Sequence, residues 1–159
     1  MVQSATQGGA LPIYVLNGPN LNLLGSREPD LYGTDTLADI ERATTLKAGT
    51  LGLNVLFMQD NREGQLIDWI HEARLRASGV VLNAGGYSHT SIALLDACRA
   101  LGKPLVEVHL SNPYRREIYR RHSFISEMAS GIICGFGSGS YILAIQAMAE
   151  LLKVSPERT

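Results

Sequence analysis

The chain has 159 residues, 45% hydrophobic and 18% charged, a composition that fits one folded globule and excludes a disordered or low-complexity chain. Fourteen basic against fifteen acidic side chains leave a formal net charge of −1, which provides no field for gathering nucleic acid or an anionic membrane surface. No apolar run approaches the ~20 residues of a membrane span, and Met1–Ala10 lacks the basic start and apolar middle of a signal peptide. A cytoplasmic domain over 12–153 is expected, with tails at 1–11 and 154–159. Cys98 and Cys134 have no metal-ligand spacing and read as reduced core residues.

Ile13–Leu16 is a first buried strand, closed by the turn Asn17-Gly18-Pro19. The chain then avoids a helical pattern until Thr36, far longer than the ~2–6 residues usual for a strand-to-helix connection, so this segment reads as a lid. It carries Asn20, Arg27 and Tyr32. A guanidinium beside a phenol favours the ionised form and makes a base of it; a surface loop with a half-buried tyrosine is the competing reading.

Thr36 and Asp39 form an approximate capping box, and Leu37, Ile40, Thr44, Ala48 and Leu51 then recur at helical spacing up to Gly52. Asn54–Gln59 is a second strand and Arg62–Ala77 a second helix with Leu66, Ile67, Ile70, Ala73 and Ala77 inward. Val80–Leu82 is a third strand, running into Asn83-Ala84-Gly85-Gly86 and a helix through Ile92, Leu95, Cys98 and Leu101. Leu105–Leu110 is the fourth strand, followed by the basic stretch Tyr114–Arg121; Gly131–Gly135 is the fifth, and Tyr141–Leu152 the closing helix. Alternating strands and helices imply a three-layer α/β/α domain on a five-stranded parallel sheet, with order 2-1-3-4-5 and a ligand at the carboxyl ends of the strands. The polar clusters Asn17–Tyr32, Asn83–His89 and His109–Arg120 all follow strands and are expected to converge on one crevice.

Glu107 and His109 lie two apart on a strand and therefore share a face, the arrangement of a general acid supported by a carboxylate or of a simple ion pair. A metal site made of Glu107, His109 and His89 lacks a further ligand at helix or turn spacing. Gly85-Gly86 allow close approach of backbone to a ligand, His89 and Ser91 flank a helix start suited to an anion, and Leu110-Ser111 offers an N–H and a hydroxyl for a carboxylate. Arg116 and Arg120 are expected to share a solvated helix face. Gly135–Ser140 is a weak phosphate-loop candidate, equally explained by tight strand-to-helix packing, and Asp96 has no evident partner in its segment.

Taken together, NGPNLNLLGSREPDLYG, NAGGYSHTSIALLDA and EVHLSNPYRREIYRRHS resemble type II 3-dehydroquinate dehydratase over essentially Ile13 to Leu152. The resemblance implies a flavodoxin-like fold and a hydro-lyase of the shikimate pathway that leads to chorismate and the aromatic amino acids. It removes water from 3-dehydroquinate by anti elimination through an enolate, with no covalent intermediate, metal or cofactor. It places the proton acceptor on Tyr32, the proton donor on His109 supported by Glu107, transition-state stabilisation on Arg27 with Arg116 as its assistant, and the positioning of a water on Asn20. Substrate binding falls on Asn83, His89, Leu110, Ser111 and Arg120, with Asp96 reaching a neighbouring subunit of a homododecamer built from four trimers. Tyr87 and Ser138–Ser140 are positions of expected variation, and the N-terminal tail has no counterpart in the family. A flavin carrier of the same architecture needs a short hydroxyl-rich phosphate loop where this chain has Asn, Arg and Tyr. Schiff-base chemistry needs a lysine at the strand tips, whereas Lys47, Lys103 and Lys153 fall in helix patterns or at element ends.

Overall fold

The structure is a computed structural model that describes residues 9–154; most of both expected tails lies outside the described residues. In chain order the elements are β1 (Ile13–Asn17), α1 (Pro29–Tyr32), α2 (Leu37–Thr50), β2 (Val55–Gln59), α3 (Glu63–Arg76), β3 (Gly79–Asn83), α4 (Ile92–Ala100), β4 (Leu105–His109), β5 (Gly131–Cys134) and α5 (Gly139–Val154). Short 3-10 turns punctuate the loops. The strands form one parallel sheet in the order β2-β1-β3-β4-β5, as the pattern predicts.

All five residues of β1 and of β3 are buried, because helices cover both faces of the sheet centre. The alternation along the strands sorts the core in two. Tyr14, Leu16, Val80 and Leu82 pack with α3 and α4 residues such as Leu66, Ile70 and Leu94. Ile13, Val15, Val81, Val106 and Val108 pack on the other side with Ile40, Ala144, Ile145 and Met148. The edge strands β2 and β5 expose Leu56 and Ile132.

The helices begin where their caps direct. Thr36 and Asp39 make a complete capping box at α2, and the Ser91 hydroxyl accepts from the Leu94 N–H at 2.9 Å to start α4. In register, Asn17 stands beside Gln59 and Asn83, so the loops after β1, β2 and β3 leave the sheet at one level. Gly18 is essential to their approach: a Cβ there would lie 2.5 Å from the Ala84 carbonyl oxygen.

Two expectations need correction. The lid is not free of helix, since it holds a 3-10 turn at Leu21–Leu23 and the single turn α1. Nor do Arg116 and Arg120 share a helix face. The basic stretch breaks into 3-10 turns at Pro113–Arg115 and Ile118–Arg120, with Arg116 extended between them at φ −108° and ψ −171°.

Candidate active site

The lid is held in a conformation that its residues do not favour. Asn20 and Glu28 have left-handed φ values of 68° and 42°, the only non-glycine cases among the described residues. Asn20 is fixed from outside: its N–H donates to Asn61 Oδ1 at 3.0 Å, and the Asn61 carbonyl accepts from the Tyr87 hydroxyl at 2.7 Å. Glu28 precedes Pro29, which opens α1 and delivers Tyr32 at its end.

Two cations approach the Tyr32 ring, with the guanidinium carbons of Arg27 and Arg116 each 5.4 Å from its centroid. The hydrogen bond to the phenol comes from Arg116, whose Nη1 donates to Tyr32 Oη at 2.8 Å. This corrects the solvated-face expectation: the Arg116 side chain is only 13% exposed and is also bordered by Glu117 at 3.7 Å. Arg27 faces the ring and leans toward Glu28 at 4.0 Å.

After β3, Asn83 is fixed by a buried relay. Its Nδ2 donates to Tyr141 Oη at 2.9 Å, that hydroxyl donates to Asn17 Oδ1 at 2.6 Å, and Asn83 Oδ1 accepts from the Gly85 N–H at 3.2 Å. Burial pushes the Tyr141 phenol above its ordinary value, with the Asn83 bond opposing, so it stays a neutral donor. His89 donates from Nδ1 to the His122 carbonyl at 2.8 Å, which leaves Nε2 for a ligand. Burial, reinforced by the charges of His109 and Arg120, holds the His89 imidazole below its ordinary value against the opposing His122 bond.

On β4, Glu107 is fully buried and its Oε1 accepts from His109 Nε2 at 2.7 Å. The hydroxyls of Ser123 and Ser126 also donate to this carboxylate. Burial raises its pKa, but the His109 bond and charge and the two serine hydroxyls outweigh it, and Glu107 sits below the ordinary carboxylate value.

A cavity of about 190 Å³ joins the lid to the sheet. Asn20, Arg27 and Tyr32 line it from the first loop, Asn83 and His89 from the second, and Leu110, Arg116 and Arg120 from the third. The expected convergence of three loops is therefore present, but His109 stands one ring away. It lines an adjoining cavity of about 330 Å³, and His89 and Arg120 border both spaces. The His89 and His109 rings are stacked with centroids 6.4 Å apart. Ser111 lies on a third cavity, of about 540 Å³, which shares Tyr32, Leu110 and Arg116 with the first.

Asp96 differs from expectation only in having a local partner. It is on the outer face of α4 with its side chain 64% exposed, lines none of these cavities, and has a local partner in Arg99 at 3.3 Å. Sequence reasoning missed Ser123, Ser126, Tyr141 and Asn61, whose importance comes from contacts across the fold and leaves no local motif. Among the described residues no cluster of three or more His, Cys, Asp or Glu side chains could hold a metal ion, and no helix is long and apolar enough to cross a membrane.

Comparison with known proteins agrees with this geometry. The family described as "Dehydroquinase class II" matches residues 11–149. The "3-dehydroquinate dehydratase" of Caulobacter vibrioides is 56% identical over 142 residues, covering 89% of this chain and 97% of that protein. That of Phenylobacterium zucineum is 54% identical over 142 residues, with 89% and 98% covered. Among solved structures, the type II dehydroquinase of Propionibacterium acnes superposes with a TM-score of 0.86 at 41% identity, covering 89% of this chain and 98% of that one. A five-stranded parallel sheet in the order 2-1-3-4-5, a site assembled from the loops after β1, β3 and β4, and this extent of similarity lead to one statement: the chain belongs to the class II dehydroquinase family.

Proposed function

We propose that this protein removes water reversibly from 3-dehydroquinate to give 3-dehydroshikimate, as an enzyme of the shikimate pathway serving chorismate and aromatic amino acid synthesis. The observation that carries the reading is the Tyr32 phenol, hydrogen-bonded by Arg116, flanked by Arg27 and opening on a cavity lined by Asn20, Asn83 and His89. Tyr32, as phenolate, takes the C2 proton beside the ketone, and the C–H electrons move onto the carbonyl oxygen as an enolate. A water held by Asn20 donates to that oxygen, a contribution worth roughly 3 kcal/mol for one well-placed donor in a closed site. The enolate then collapses to form the C1=C2 double bond and expels the C1 hydroxyl, which His109 protonates so that water departs.

Arg116 donates to the Tyr32 oxygen and Arg27 lies over its ring, so two cations hold and orient the base. Across the site, Glu107 holds the His109 ring through Nε2 and leaves Nδ1 without a protein partner among the described residues. The ring of the substrate spans the two adjoining cavities, with His89 and Arg120 at their common border. Asn83, Leu110 and Ser111 take the substrate's carboxylate and hydroxyls. Among the described residues no lysine lines this crevice.

The reading extends to assembly. An exposed Asp96 serves the site of a neighbouring copy in a dodecamer of four trimers, in the cytoplasm. The direct test is to add 3-dehydroquinate to the purified protein and follow the ultraviolet absorbance of the conjugated enone. Turnover is expected without added metal or cofactor, and borohydride added during turnover leaves the mass of the chain unchanged. No enone, or a covalent adduct on Lys47, Lys103 or Lys153, overturns the assignment.

A further inference from the structure

We propose that Ser123 and Ser126 are positioning residues of this reaction: their hydroxyls hold Glu107 as an oriented anion behind His109 and so set the low-pH limit of turnover. The inference rests on the reading of His109 as the general acid. Its basis is the number of donors on a carboxylate that has no access to water. Among the described residues Glu107 Oε1 accepts from His109 Nε2 and from the Ser123 hydroxyl, whereas Oε2 accepts from the Ser126 hydroxyl alone. The two oxygens are thus not equivalent. Without Ser126 one oxygen of a fully buried anion has no partner, and protonation becomes the favoured way to relieve it.

The serines come from a segment secured to the site and not from a mobile surface. Ser123 Oγ also accepts from the Ser126 N–H at 3.4 Å, which closes one turn around the carboxylate. Ile125 between them is fully buried, the Phe124 N–H donates to the Ser88 carbonyl at 2.9 Å, and the Ser130 N–H donates to Leu105 at 2.7 Å. Both serines line the 330 Å³ cavity together with His109.

Among the described residues four titratable groups interact electrostatically with Glu107, and Arg120, Arg121, His122 and Glu127 line the cavity on which its two serines open. His109 shares its strand, His89 approaches from the loop after β3, Cys98 from α4 and Cys134 from β5. The thiols remain neutral, since burial and then the Glu107 charge push Cys98 up to about 12 and move Cys134 in the same direction. The His89 imidazole is held below its ordinary value, by burial first. His109 is therefore the ring donor in contact with the carboxylate, and the serines supply the remaining donors.

The test is the pH profile of kcat/KM for the wild type, Ser123→Ala, Ser126→Ala, Ser126→Thr and His109→Ala. The acid limb is expected to move upward by about one pH unit in Ser126→Ala, the size of one lost hydrogen bond to a buried anion. The shift is smaller in Ser123→Ala, because Oε1 keeps His109. Ser126→Thr, which retains the hydroxyl, returns the limb to its wild-type position. Should Ser126→Ala not fold, Ser126→Cys, nearly isosteric and a much weaker donor, carries the same expectation. An unmoved acid limb in a folded Ser126→Ala or Ser126→Cys enzyme overturns the inference, even if its Tm falls. If at the same time His109→Ala is inactive, the acid assignment stands; a normally active His109→Ala removes that assignment and this inference together.

Discussion

Arg116 is the residue whose position changes the chemistry most. The sequence places Arg27 five residues from Tyr32 and suggests it as the phenol's partner, yet the hydrogen bond at 2.8 Å comes from Arg116, eighty-four residues away. Arg27 meets the ring face instead. The two cations are therefore not interchangeable. Tyr32→Phe removes the ionisable oxygen while keeping the ring that both guanidinium groups approach, so the fold survives and kcat is expected to fall by about 10²–10⁴, the range of one proton-transfer catalyst. Arg116→Ala leaves the phenol without its donor, and its loss is expected mainly in kcat, since Arg116 holds the base and not the substrate. Steady-state kinetics with circular dichroism as a folding control checks both. Near-normal turnover by Tyr32→Phe removes it from the mechanism, and an Arg116→Ala effect confined to KM gives Arg116 a substrate-binding role.

At the scale of elements, strands and helices were legible because each is fixed by local pattern: continuous apolar runs for β1 and β3, apolar positions alternating with Glu107 and His109 for β4, helical spacing for α2 and α3, and a real capping box at Thr36 and Asp39. What was illegible depends on contacts between segments. Arg116 and Arg120 have the spacing of a helix face, but Asn112 Oδ1 accepting from Tyr114 N and Pro113 at the first turn favour a 3-10 turn. Burial of Arg116 against Tyr32 then outweighs a surface i,i+4 preference worth only a few tenths of a kcal/mol. Ser123 and Ser126 were missed for the same reason: a serine gives no sequence sign that it faces a buried carboxylate. The close approach of the loops after β1 and β3 depends on Gly18. In Gly18→Ala the new methyl meets the Ala84 backbone at 2.5 Å, where no side-chain movement can relieve it. A loss of about 1–3 kcal/mol is expected from such overpacking, with a rise in KM as Asn20 moves away from Asn83. Urea unfolding and steady-state kinetics measure the two effects, and a variant as stable as the wild type with an unchanged KM shows that the loops can separate without consequence.

Two properties belong to the whole molecule. Among the described residues Asp96 is paired only with Arg99 and lines none of the three cavities at the strand ends, so a role in the reaction requires a second copy. This is testable by complementation. Tyr32→Phe and Asp96→Ala subunits, each impaired alone, are expected to regain activity when unfolded and refolded together, because some hybrid sites combine an intact Tyr32 from one subunit with an intact Asp96 from the other. Absence of recovery in a mixture shown by sedimentation to contain hybrids places Asp96 outside the shared site.

The second property is stability against acid. Glu107 has a folded pKa below its unfolded value, so its ionised form contributes stability that is fully present above the ordinary carboxylate value of ~4.3 and is lost as pH falls through the folded value. Asp39, Asp60 and Glu117 are shifted in the same direction, but they are exposed and their contribution is screened by solvent. The buried carboxylate should therefore dominate the difference between the wild type and Glu107→Gln, which keeps the shape and removes the titration. Urea midpoints for both proteins from pH 7 to pH 3 are expected to fall more steeply for the wild type below about pH 4.3 and to run parallel above it. Parallel curves throughout would mean that the carboxylate gains nothing from His109, Ser123 and Ser126 that it does not already have from water in the unfolded chain.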